Sequence, residues 1–321
     1  MAAYMFRRLV AIVPTLIVLS IILFVMVRLM PGNAALLKAF SSSPLQQSAN
    51  STKAVAQYEH ELGLDKPIPV QYLEWIGDTA RLKFGNSYFT GSSAVSELKR
   101  RGPVTLELMV FSVLISTLIG VTVGVVSAIF QDTPIDFACR VFATFGLSLP
   151  AFWVGIMVIL LPALWWHIVL PSGNVSILHN PVANLKVFIV PSVVLGWAFA
   201  GSLMRVTRSE MLETLRQDYV RTARAKGLGE LIVIYRHVLR NAFIPIITLV
   251  GLQVGILIGG AVVIEQVFGL PGVGSFLLTA IGNRDYPVIQ SVVLLAALAF
   301  LLTTLIVDLS YGVLDPRIRY E

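Results

Sequence analysis

Six stretches of this sequence are long and apolar enough to cross a lipid bilayer, and nothing else constrains the fold as strongly. They run over about 9–30, 104–130, 137–161, 187–206, 244–267 and 288–309. A bilayer core about 30 Å thick takes about 20 apolar residues in helical form. The expected fold is therefore an all-α integral membrane protein with six transmembrane helices. Composition agrees: charged residues make up 13% of the chain and the mean hydropathy is +0.81, whereas a soluble domain carries about 25% charged residues. The net charge of +6 reflects topology, because Lys and Arg collect on the cytoplasmic side of membrane proteins. No nucleic-acid partner is implied. Cys139 is the single cysteine, so no internal disulfide can form.

The first apolar run is longer than the 7–15 residues of a signal-peptide core. The adjoining "RLMPGNAALL" is a poor cleavage site, so an uncleaved helix is expected. With the N-terminus inside, the cytoplasmic side receives Arg7, Arg8, Arg140, Arg205, Arg208, Arg317 and Arg319. The short outer loops hold little more than Lys186 and Arg284. Arg28, near the outer end of the first span, is expected to snorkel to the interface. Both termini are placed in the cytoplasm of a multi-pass protein. Segment 31–102 carries charges of both signs, and segments longer than about 60 residues translocate regardless of charge. It is expected outside, as an insertion after the first helix. Within it "SSSPLQQSANSTK" is polar, while "AVAQYEHELGLDKPIPVQYLEWIGDTARL" predicts a short amphipathic helix, a Pro-marked turn and a second helix. Leu73, Ile76 and Ala80 share one face of that second helix. The division is 1–30 (N-terminal tip and first span), 31–102 (outer segment), 103–310 (core, containing a cytoplasmic loop 207–243) and 311–321 (cytoplasmic tail).

Several signatures are missing. No G-x-x-x-x-G-K-[ST] phosphate loop is present, so ATP hydrolysis by this chain is not expected. Neither H-E-x-x-H nor G-x-S-x-G occurs. His60, His167, His179 and His237 are scattered without metal-ligand spacing. No catalytic, cofactor-binding or metal-ligating residue is assigned.

The loop 207–243 is longer than two adjacent spans need, and it is helical in pattern throughout. In "DYVRTARAKGLGELIVIYRHVLRNAFIP", Arg221, Arg224, Ala225 and Leu228 share one helical face, and Tyr219, Ala223 and Lys226 another. Gly227 and Gly229 permit a sharp reversal. The pattern is a short exposed helix held out by two longer helical arms. Small residues such as Ala223 and Ala225 let a partner approach closely. Spacing leaves two uses open: a rigid helix docking in a partner's groove, or a basic amphipathic helix lying on anionic headgroups. The paired glycines and long arms suit the first.

This stretch resembles the cytoplasmic signature loop of the permease subunits of bacterial ABC importers, in particular the dipeptide/oligopeptide permease group. The general signature has Glu-Ala-Ala with Gly four residues after its last Ala. Here Arg221, Thr222 and Ala223 occupy the triplet and Gly227 the glycine. Arg221 and Thr222 depart from the general pattern, but "YVRTARAKG" is similar to the peptide-permease form. "RRLVAIVPTLIVLSIILFVMVRLMPGNAA", "KFGNSYFTGSSAVSELKRRGPVTLEL", "VIEQVFGLPGVGSFLLTAIGNRDYPVIQ" and "VDLSYGVLDPRIRYE" extend the resemblance over nearly the whole chain.

The resemblance implies the type I ABC importer permease fold in a bacterial inner membrane. A homologous second permease completes the pathway, and two cytoplasmic ATPase subunits, which hold the ATP and Mg2+, drive it. An extracytoplasmic substrate-binding protein delivers peptides or related small solutes, and membrane lipid surrounds the chain. The resemblance places the ATPase-binding coupling helix on Tyr219, Val220, Arg221, Thr222, Ala223, Arg224, Ala225, Lys226 and Gly227. Transport would proceed by alternating access.

Polar residues in the spans need shelter, because an ionised side chain at the bilayer centre costs about 2.5–3.5 kcal/mol on insertion scales. Glu107, Gln253 and Glu265 are the candidates for a translocation pathway, with Asp308 nearer a span end. Solvation at helix ends competes with that role. Gly251, Gly255 and Gly259 form a small-residue ridge, open to use between permeases or inside the chain. An ion-gradient-driven carrier or channel is the alternative function. Pro14, Pro150 and Pro162 could break helices as such a carrier requires, but no inverted repeat is visible.

Overall fold

A computed structural model describes residues 2–30, 35, 51–61 and 63–314, which fold as helices joined by loops. In chain order the helices are α1 (Ala2–Leu29), α2 (Ser51–Glu61), α3 (Ile68–Ala80), α4 (Ala94–Ile129), α5 (Pro134–Ser148), α6 (Ala151–Trp166), α7 (Pro181–Leu215), α8 (Asp218–Ala225) and α9 (Glu230–Ile232). A π-helical segment, Val233–Leu239, leads into α10 (Arg240–Phe268), followed by α11 (Val273–Asn283) and α12 (Tyr286–Leu314). Among the described residues, five helices are long and apolar enough to cross a membrane, or six if a bent pair counts as one span.

That bent pair is α5 and α6, which meet at 97°. The sequence reading took 137–161 as one span. Pro150 divides it: a residue before proline is driven out of the α region, and Leu149 is extended at φ −99°, ψ 128°. Pro14 and Pro162 lie inside α1 and α6 without ending them.

Among the described residues two compact units emerge, one of Val104–Pro271 with 302–314, the other of Ala2–Pro103 with Gly272–Leu301. In the first unit α7 is the central element. Val187, Phe188, Val194 and Leu195 of α7 are buried with Leu108, Leu257 and Ile264 in one core. Close approach sets the packing there. A Cβ on Gly196 would lie 2.7 Å from the Ser112 carbonyl oxygen, and one on Gly201 would lie 2.6 Å from that of Ala143. The ridge read from the sequence behaves differently, since a Cβ on Gly259 would meet nothing within 4 Å. Gly251 and Gly255 are half-buried, so only the Gly259 end of the ridge is open among the described residues.

In the second unit α3 lies along α1. Phe24, Tyr72 and Trp75 form an aromatic cluster with centroids 5.4–6.1 Å apart, and the Tyr72 and Ser20 hydroxyls are hydrogen-bonded at 2.9 Å. The predicted helix–turn–helix is therefore present, but its buried face differs. Leu73 is 66% exposed, and Ala80 is exposed as well. The larger rings of Tyr72 and Trp75 bury more area than Leu73 and Ala80 and so take the inner face. Arg28, expected to snorkel to the interface, is half-buried. Its guanidinium sits over the rings of Phe24 at 5.2 Å and Tyr286 at 5.1 Å, where ring quadrupoles attract the cation. Asp285 ties the same unit together by accepting hydrogen bonds from the Ser87 hydroxyl and the Tyr88 amide. The stretch 41–50, the Asp308 side chain and the tail 315–321 lie outside the described residues.

Candidate functional site

The two helical runs that flank α8 are longer than a bilayer core is thick. At 1.5 Å per residue, the 35 residues of α7 rise about 52 Å, against a bilayer core of about 30 Å. The helical run Glu230–Phe268, with 39 residues, is longer still. These are the arms expected from the sequence, and α8 lies between them.

α8 has eight residues. It ends in a Schellman motif: the Gly227 amide donates to the Arg224 carbonyl at 2.9 Å, and the Leu228 amide to that of Ala223 at 3.4 Å. The motif needs a left-handed residue at Gly227, whose φ is +78°, and glycine adopts it without steric cost. Arg224 then closes the reversal. Its Nη2 and Nε donate to the two carboxylate oxygens of Glu230 at 2.6 and 3.2 Å. This bond with Glu230 raises the Arg224 pKa further above its already high value. At the other end the Asn241 amide donates to the Tyr219 hydroxyl at 3.1 Å, linking α8 to α10.

The nine residues assigned to the docking helix do not all face outward. Val220 is fully buried and Ala223 is 7% exposed. Both join Val125, Ala128, Met211, Val233, Ile234, Val238 and Ala242 in a separate hydrophobic cluster beneath α8. Ala223, expected to admit a partner, therefore packs against the chain's own cradle. Its small side chain and its i, i+3 relation to Val220 let α8 sit close. Tyr219, Arg221, Thr222, Arg224, Ala225, Lys226 and Gly227 are exposed. The predicted Arg221–Arg224–Ala225–Leu228 face is the outer one. Arg221 lies 3.8 Å from Asp218, both exposed.

The three pathway candidates separate. Glu265 is fully buried and accepts a hydrogen bond from the Thr105 hydroxyl at 2.6 Å. Gln253, 2% exposed, donates to the Phe199 carbonyl and the Ser202 hydroxyl, tying α10 to α7. Glu107 is half-buried, and its Oε1, like the Oε1 of Gln253, lacks a hydrogen-bond partner among the described residues. Each of the three has its own local partners.

One cluster escaped the sequence reading. Asp136, fully buried, accepts from the Ser127 hydroxyl at 2.5 Å, from Arg208 Nε at 2.9 Å, from Arg208 Nη2 at 2.8 Å and from the Asp132 amide at 3.1 Å. It fastens the base of the α7 arm to α4 and α5. The local signal was "TPID", a Thr133 cap three residues before an acid, but nothing local pointed to Arg208.

Two family profiles match the chain. One, described as binding-protein-dependent transport system inner membrane component, covers residues 120–320. The N-terminal region of the same kind of protein covers residues 1–109. The dipeptide transport system permease protein DppB of Alkalihalophilus pseudofirmus is 38% identical, with both chains fully covered. DppB of Escherichia coli is 37% identical, again with full coverage of both. A probable peptide ABC transporter permease of Sinorhizobium fredii also stands at 37% over both full lengths. Among solved structures, the MetNI methionine ABC transporter matches at TM-score 0.54 and 17% identity, covering 69% of this chain and 97% of that one. An amino acid ABC transporter matches at TM-score 0.51 and 13% identity, covering 67% and 95%. These two likenesses concern the fold alone.

Proposed function

The chain belongs to the family of binding-protein-dependent transport system inner membrane components, and from that premise we infer that it is the permease subunit of a peptide-importing ABC transporter. Full-length relatives with dipeptide and peptide permease names support this reading. The ion-driven alternative finds no support among them. Segment 31–102 faces the cell exterior and receives an extracytoplasmic binding protein. Loop 207–243 and both termini face the cytoplasm. A second, homologous permease completes the pathway, with Glu107 as its candidate lining residue. Cytoplasmic ATPase subunits hold ATP and Mg2+ and dock on α8.

A single observation supports the coupling role: α8 is exposed on one face and sealed on the other to a hydrophobic cradle built from α4, α7 and the π-helical segment. A push on the outer face reaches two membrane-length helices without passing through a flexible linker. Alternating access requires that the ATPase pair bind the two permease states with different free energy, and a rigid link lets that difference act on the spans.

The test is Arg221→Glu with Lys226→Glu, both exposed. ATPase co-purification and ATP-driven dipeptide uptake should fall while membrane insertion is unchanged. Full recovery of ATPase with undiminished uptake would refute the role.

A further inference from the structure

Beside the arm, in the first unit, two grooves share a wall. The first, about 710 Å3, is lined by Arg140, Arg205, Arg208, Glu213 and Arg216 among others. The second, about 410 Å3, runs along α5 past Phe137, Val141, Phe145 and Leu149. Arg140 and Thr144 line both.

The first groove carries an excess of positive charge. Arg208 is held by Asp136 at 2.8 Å, and Arg140 approaches the same carboxylate at 3.5 Å. With Asp136 and Glu213 set against four guanidiniums, two positive charges remain. Arg205 and Arg216 make no ion pair among the described residues. The second groove follows Phe137, Val141 and Phe145, spaced four residues apart on α5, to Leu149 at its end, with Phe137 63% and Phe145 58% exposed. The basic groove lies between α5 and the end of α7, and the apolar one runs along α5, both helices of membrane spans.

A soluble anion uses only the first groove and leaves the apolar stripe uncovered. An amphiphile with a phosphate at one end and a hydrocarbon chain at the other uses both, and it reaches them from the bilayer. Basic pockets between spans on the cytoplasmic side suit anionic headgroups. We propose that the paired grooves seat one anionic phospholipid. Its phosphate rests against Arg205 and Arg216, and an acyl chain follows Phe137, Val141, Phe145 and Leu149. The site borders Gln217, the residue before α8, so the lipid lies at the root of the docking helix.

The experiment is native mass spectrometry of the full chain released from neutral detergent, titrated with phosphatidylglycerol or phosphatidylcholine of identical chains. Phosphatidylglycerol should be retained in preference to phosphatidylcholine, and excess inorganic phosphate should not displace it. Arg205→Gln with Arg216→Gln should weaken retention about 25-fold, at about five-fold for each basic side chain near an anionic headgroup. Phe145→Ser, at an exposed position, should weaken it too, which a purely ionic site would not show. Equal retention of both lipids, displacement by inorganic phosphate, or wild-type retention in either variant would overturn the proposal. Unchanged lipid retention with loss of ATPase co-purification in the arginine variant would instead give the groove to a protein partner.

Discussion

Exchanging Arg224 and Glu230 separates two jobs that Arg224 can do. Its guanidinium is committed to Glu230 through two hydrogen bonds, so its charge is largely answered within the chain. The structure therefore makes Arg224 a clamp on the reversal, and leaves Arg221 and Lys226 as the outward-facing charge. Both partners are half-exposed, at 44% and 55% of their side-chain surface, and an exposed pair contributes about 0.2–1 kcal/mol. Arg224→Glu removes that pair and sets two carboxylates against each other, which adds a destabilising amount of similar size. The total is about 0.4–2 kcal/mol, and 1.4 kcal/mol is tenfold. If ATPase subunits dock only on the closed reversal, their apparent affinity falls with the closed fraction, by up to about 30-fold. The exchange Arg224→Glu with Glu230→Arg restores an opposite-charge pair across the same turn. Affinity between the purified permease complex and its ATPase subunits, read by titration in detergent or nanodiscs, should drop in the single variant and recover most of the loss in the exchange. An exchange variant as weak as the single one would refute the clamp and show that the partner reads Arg224 directly.

Asp136→Asn should lower unfolding stability in detergent by about 3 kcal/mol, because it strands a largely buried arginine. Adding Arg208→Met should return more than half of that loss, as followed by thermal unfolding. Gly201→Ala drives a methyl into the Ala143 carbonyl oxygen and should cost about 1–3 kcal/mol. Gly259→Ala, facing open space, should leave thermal stability of the isolated chain within about 0.5 kcal/mol. Gly227→Ala forces a side chain into the left-handed region, at about 1–3 kcal/mol. Proteolysis near residue 227 should accelerate, with ATPase recovery reduced.

One physical divide separates the features legible in the sequence from those that were hidden. Membrane insertion depends on the local sum of side-chain transfer free energies, so apolar runs such as 9–30 and 187–206 locate helices without knowledge of their neighbours. The position of α8 was equally local, because Gly227 and a short helical period mark it from within. Which face of α8 turns inward was not local. Val220 and Ala223 are chosen by Val125, far away in the chain, together with Met211 and Val238 on the two flanking arms, and a basic eight-residue helix offers two plausible faces until its cradle exists. The Asp136–Arg208 bond spans 72 positions, with no periodic signal connecting them. The break at Pro150 lies between these cases. Its cause is local, but a proline inside an apolar run either bends a helix or is absorbed, as at Pro14 and Pro162, according to how neighbours satisfy the freed backbone groups. The same divide separates the polar candidates. Gln253 and Glu265 looked like pathway residues because burying them in lipid is costly; each finds a hydrogen-bond partner inside the chain, while the Gln253 Oε1, like the Glu107 Oε1, has none among the described residues. A polar residue in a span thus reports a need for a partner, and only the packed structure tells whether that partner is the protein itself or the solute it moves.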